Sequence, residues 1–232
     1  MVSVLWQEFC FRFKKYWRET LVFGVGYFLL CFLVLAGQTE VERGIDEYMA
    51  ATLVLVAVLL LHKIVMNMGL YLPNRLHKTM FYLPLSEKDK KKYISYVLVA
   101  KFCVVVCFVI ITGFLLWLSR ILSLKEVGFL AVSELLWGIV TIFGHVQLRE
   151  PVFGKQKEVK FETYQIVNLA FYILYLVFFL EEAYQNGTEL PWQVHLVLWV
   201  IQGMFLLYTL RYKAPLVLKG HSYEAVCREE AV

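Results

Sequence analysis

Between Tyr93 and Leu118 the chain runs through one continuous apolar stretch whose only charged residue is Lys101. About 20 mostly apolar residues in a helix cover the hydrocarbon core of a bilayer. Six such segments follow one another, at about 20–37, 48–70, 93–118, 127–147, 163–180 and 192–210. They are continuous rather than alternating, which excludes transmembrane β-strands. Lipid offers no partner to a backbone N–H or C=O, so each segment must be a helix. Composition agrees: 60% of the chain is hydrophobic and 18% charged, against about 45–50% and about 25% in soluble domains. The sequence predicts an all-α polytopic membrane protein, a single domain over 1–232, with connections too short to hold a soluble catalytic module.

The few charges are sorted by side. Arg12, Lys14, Lys15 and Arg18 precede the first span. Arg75, Lys78, Lys88, Lys90, Lys91 and Lys92 fill the second connection, and Arg149, Lys155, Lys157 and Lys160 the fourth. Arg211, Lys213, Lys219 and Arg228 lie in the C-terminal tail. The opposite connections hold only Arg43, Arg120 and Lys125, with eight acidic residues beside them. Basic loops stay in the cytoplasm, so both termini are expected there. The net charge of +4 is too small to imply a nucleic-acid partner, and its distribution implies contact with anionic lipid instead.

Residues 1–18 interleave Trp6, Phe9, Phe13 and Trp17 with basic side chains, the pattern of a helix lying in the headgroup region. A cleaved signal peptide would need an earlier apolar stretch and a small-residue cleavage site; the LAGQTE segment ending the first span is a poor one. Asn186-Gly187-Thr188 forms a glycosylation sequon in the last outer connection, meaningful only in a glycosylating host. None of the five cysteines falls in an outer connection, so no extracellular disulfide framework is expected. Cys103 and Cys107 share a helical face, but two thiols alone make a poor zinc site.

Motifs for catalysis are missing. There is no phosphate loop, no HExxH pair and no GxSxG elbow, so the chain is expected not to be an enzyme, and transport would draw its energy from elsewhere. Inside the spans, Glu134 fits a substrate cavity, a proton path or, more economically, a carboxylate bonded to a neighbouring helix. Asn168 and Gln202 suit interhelical hydrogen bonds or a pore lining. Lys63 and Lys101 are explained by snorkelling to the inner headgroups. No buried chain of carboxylates or histidines emerges, which argues against an ion-coupled carrier.

The connection from 72 to 92 carries the strongest signal. Pro73 and Pro84 favour extended backbone before them. Ser86 is placed to cap a short helix, with Glu87 and Asp89 at its positive end and Lys90, Lys91 and Lys92 behind. The second span also reads on through Asn67 and Gly69 to Tyr71. These features describe a helix pair reaching into the cytosol with a short charged helix at its tip.

The segment Phe81-YLPLSEKDKKKYISYVLVAK-Phe102 resembles the Leu-Pro-hydrophobic-Ser signature of ABC-2 type transporter permeases, in which a lysine, here Lys101, opens the third span. The six spans, cytoplasmic termini and N-terminal interfacial helix are similar to that family's architecture over nearly the whole chain. The resemblance implies a coupling helix formed by Leu83, Pro84, Leu85, Ser86, Glu87, Lys88, Asp89, Lys90, Lys91 and Lys92, docking on a separate ATP-binding cassette subunit that holds ATP and magnesium. The chain itself would bind no cofactor. It also implies a second permease copy or paralogue, a bacterial plasma membrane, and export of a peptide, lipid or drug, with Glu134, Asn168 and Gln202 as candidates for the substrate path. The short 181–191 connection departs from members with a large outer domain or an elaborate re-entrant loop there. The alternative is an accessory or scaffold membrane protein whose basic face binds lipid. An intramembrane enzyme would need polar residues clustered at one depth.

Overall fold

A computed structural model of the chain describes residues 45–72, 74, 76, 84–119, 122–143, 147–148, 159–160, 163–181 and 190–218, with scattered positions between 5 and 29. Most of the first expected span, Leu83, the 186–188 sequon and the tail beyond 218 lie outside the described residues.

The fold is helical. α1 spans Ile45–Met66 and, after a bend at Asn67, continues as α2, Met68–Tyr71. The backbone stays bonded through the bend, Asn67 N–H donating to the Lys63 carbonyl and Tyr71 N–H to that of Asn67, so the helix does run on to Tyr71 as its sequence implies. α3 covers Glu87–Leu118, α4 Leu124–Ile142, α5 Thr163–Glu181 and α6 Trp192–Tyr208. A wide π turn over Thr209–Lys213 carries α6 into α7, Ala214–Leu218. Pro215 explains the turn: its ring would collide with the carbonyl one turn back, and widening the helix relieves that. A two-residue antiparallel ladder pairs β1, Gln147–Leu148, with β2, Val159–Lys160, between α4 and α5.

Two of the described helices, Glu87–Leu118 and Trp192–Lys213, are long and apolar enough to cross a membrane. Within their apolar windows only 33% and 22% of residues are buried, fewer than in a core helix that is mostly buried. Their outward faces carry Ile110, Phe114 and Trp117 on α3 and Val197, Val200 and Met204 on α6, all exposed. Exposed apolar surface on that scale marks a membrane or protein interface.

α4 occupies the centre and packs on α1, α3, α5 and α6. Its start is specified locally: Ser123 accepts the Glu126 N–H at 3.3 Å while Glu126 Oε2 accepts the Ser123 N–H at 2.6 Å, a reciprocal capping box. Glycines bring α3 and α4 close. A Cβ on Gly113 would stand 2.9 Å from Val127, and one on Gly138 would collide with Val105. The core they enclose gathers Val105, Phe108, Leu130, Trp137, Tyr172 and Phe179.

A second, smaller core lies at the other end of α3, where Leu72, Leu76, Tyr93, Ile94 and Val97 are buried together with Leu5, Phe9 and Leu85 against them. The described residues of the N-terminal segment are helical, and Trp6, Phe9 and Phe13 stack in succession with centroids 5.7 Å apart. Phe13 also meets Tyr71 at 5.5 Å. The spacing of three and four residues aligns these rings on one helical face, while Trp6 and Phe11 stay exposed.

Candidate functional site

Two sets of residues carry chemistry, one at the charged end of α3 and one inside the bundle. At the α3 end, Ser86 is the N-cap. Its Oγ accepts the Asp89 N–H at 3.2 Å and donates to Asp89 Oδ2 at 2.6 Å, so the carboxylate is held at the positive end of the helix dipole. Lys90 Nζ lies 3.2 Å from Glu87 Oε1. Pro84, Ser86, Glu87, Lys88, Lys91 and Lys92 are exposed, and Leu85, Asp89 and Lys90 half-buried.

The cap forms where the sequence places it, but the expected short, separate helix does not. Ser86 caps α3 itself, and the charged turn runs without a break into the apolar window. Nothing between Glu87 and Tyr93 interrupts a helix: Glu and Lys are good helix formers, and neither glycine nor proline intervenes.

Lys101 corrects a second expectation. It does not snorkel; it is 1% exposed and donates to Asn74 Oδ1 at 2.5 Å. Asn74 Nδ2 in turn donates to the Ile142 carbonyl at 2.9 Å. One amide thus ties the post-α2 segment, α3 and the C-terminus of α4, and the ammonium sits near the negative end of the α4 dipole.

The interior set shows Glu134 bonded to a neighbouring helix, as its economical reading expects, but corrects the expectation that the spans hold no buried chain of carboxylates or histidines. Glu134 on α4 is fully buried and has two neighbours that sequence reasoning did not pair with it. Tyr172 Oη of α5 lies 3.5 Å from Glu134 Oε1. His62 Nε2 of α1 lies 2.6 Å from that hydroxyl and 4.0 Å from the carboxylate oxygen. A buried histidine–tyrosine–carboxylate chain therefore exists. His62 Nδ1 is 2.8 Å from the Val58 carbonyl, which can only accept, so Nδ1 carries a hydrogen. The rings around the cluster are packed tightly: Trp137 stacks on Tyr172 at 5.0 Å and 13°, and Phe108 meets His62 edge-on at 4.7 Å.

Asn168 and Gln202 are buried too, on α5 and α6. Asn168 Oδ1 and both polar atoms of the Gln202 amide lack a hydrogen-bond partner among the described residues, as does Glu134 Oε2. The structure brings Glu134 to His62 and Tyr172 rather than to these amides. Nearby, His195 Nδ1 meets Tyr175 Oη at 2.8 Å and stacks on Phe129 at 4.4 Å, while Trp199 Nε1 donates to Ser133 Oγ at 2.9 Å.

A cleft of about 80 Å³ opens beside the cluster, lined by Met66 and Gly69, by Trp137 and Thr141 of α4, and by Gln165, Ile166 and Leu169 of α5. None of Glu134, Asn168 and Gln202 lines it. Met66 lies one turn beyond His62 on the same helix, and Trp137 touches both His62 and Tyr172, so the cluster sits directly behind the cleft wall. No protein-family model matches the chain, and no similar curated protein or solved structure was found.

Proposed function

We propose that the chain is the membrane-spanning permease subunit of an ATP-binding cassette exporter, moving a hydrophobic or amphipathic substrate with ATP hydrolysed by a separate subunit. It crosses the plasma membrane six times with both termini in the cytoplasm, and acts with a second permease copy. The observation that carries this reading is the continuity of α3. Its 32 residues extend about 48 Å, well beyond the hydrocarbon thickness of about 30 Å. The excess is the charged, Ser86-capped end. A partner pressing on Glu87–Lys92 moves a single rigid rod, and that rod meets α4 at the Gly138–Val105 and Gly113–Val127 contacts. Docked rings of the N-terminal helix on Tyr71 brace the same end.

The runner-up reading, a lipid-binding scaffold, is favoured by the exposure of Lys88, Lys91 and Lys92 together, since each basic side chain near an anionic leaflet contributes about 1 kcal/mol. Co-purification of the chain with a small cassette ATPase, before and after Glu87→Arg with Asp89→Arg, separates the two. The exporter reading expects the charge reversal to abolish association and ATPase stimulation. Unchanged association and stimulation contradict it, and stronger retention on anionic vesicles alone supports the scaffold.

A further inference from the structure

The interior cluster is independent of the exporter reading and has a chemistry of its own. Among the described residues, the titratable groups facing His62 are Glu134 from α4 and Tyr172 from α5, with Tyr175 one turn further on; α3 contributes only the Phe108 ring. Tyr175 is turned to His195 and Ser133 and lies within electrostatic reach of Glu134. Because the Val58 carbonyl takes the Nδ1 hydrogen, two arrangements satisfy the chain His62–Tyr172–Glu134. In one, Nε2 accepts from the Tyr172 hydroxyl, whose oxygen accepts a proton from Glu134. In the other, Nε2 donates to Tyr172, which donates to an ionised Glu134. Both hold the same number of protons and the same net charge.

We infer that His62, Tyr172 and Glu134 form a proton relay inside the bundle, with His62, the least buried of the three, as its outer end. In the transfer step the Glu134 O–H bond breaks as a new O–H bond forms on Tyr172. The original Tyr172 O–H bond breaks at the same time as an N–H bond forms on His62. Tyr172 ends unchanged, Glu134 becomes a carboxylate and His62 an imidazolium, so the step needs no oxidant and no co-reactant. The apolar packing of Phe108, Trp137 and Leu130 keeps water from bridging the groups directly. His62 is the outer end, and the fully buried Glu134 is the inner store, which holds the proton at rest as in the first arrangement.

The relay makes Glu134 exchange its proton with water only by way of Tyr172 and His62. The test is infrared spectroscopy of the full chain in lipid nanodiscs, transferred into heavy water, with Glu134→Gln identifying the protonated-carboxyl band. The band is expected to shift to its deuterated position quickly in the wild type. In Tyr172→Phe, which keeps the ring on Trp137 and removes only the hydroxyl, the shift slows by about a hundredfold, the order supplied by a positioned proton carrier. His62→Gln is expected to slow it as well, with helix content by circular dichroism confirming that both variants fold. A shift equally fast in wild type and Tyr172→Phe, or the lack of any carboxyl band removed by Glu134→Gln, overturns the relay.

Discussion

Gly138 of α4 faces Val105 of α3 so closely that any Cβ at position 138 would strike the valine side chain. Both residues lie within the core shared by the two helices, where neighbours cannot give way without disturbing further contacts. Gly138→Ala is expected to destabilise the fold by about 1 kcal/mol net, overpacking of about 1–3 kcal/mol being offset in part by alanine's better helix propensity of about 1 kcal/mol. Adding Val105→Ala removes the obstructing methyls and should recover stability through a favourable coupling between the two sites. Unfolding of the purified chain in mixed detergent measures both; additive losses would place the helices further apart than described.

The Lys101–Asn74 bond makes an asymmetric prediction. Asn74→Ala leaves the buried Lys101 side chain without that acceptor, and losing one partner of a buried hydrogen bond to such a group costs about 1.5–3 kcal/mol. Lys101→Met removes the charge and keeps the length, so it should cost clearly less. A lysine that reached the headgroups would make Asn74→Ala neutral, and the same detergent titration distinguishes the outcomes.

Loss of the Ser86 hydroxyl should fray the α3 end without unfolding the bundle. An N-cap to alanine change costs about 1 kcal/mol. Amide hydrogen exchange over 87–90 is expected to speed up by about fivefold in Ser86→Ala, in keeping with that cost, and to stay near wild type in Ser86→Asp.

Trp199 offers a contrast between two tryptophans on one helix. Trp199→Phe loses the bond to buried Ser133 and is expected to cost about 1 kcal/mol. Trp192 is 61% exposed, and Trp192→Phe should leave stability in detergent unchanged.

How much of this was legible in the sequence differs from residue to residue. Long apolar runs reveal helices directly, and Ser86 followed by Glu87 and Asp89 announces an N-terminus, so α3 and its cap are readable. The fusion of that capped turn with the span is less visible, because the lysines mark where the apolar window ends and, being good helix formers, not where the helix ends. Glu134 and Tyr172 each lie roughly two turns from the outer ends of their expected spans, so that pairing was accessible from depth alone. His62 was not, since counting from the outer end of its expected span puts it about four turns in, twice the depth of Glu134. Lys101 was misread for a related reason: its partner Asn74 comes from a connection, and apolar patterning is silent about which loop folds back onto which helix. The close approach at Gly138 also depends on the facing residue, which one helix cannot specify by itself.

The most direct test concerns the placement of the α3 end, on which the proposed coupling depends. In a background with Cys10, Cys31, Cys103, Cys107 and Cys227 replaced by serine, single cysteines are introduced as Lys88→Cys and Lys125→Cys, both exposed positions at opposite ends of the α3–α4 pair. A membrane-impermeant maleimide is then applied to intact cells. The account expects labelling of the cysteine at 125 in intact cells and of that at 88 only after lysis; labelling at 88 in intact cells contradicts it.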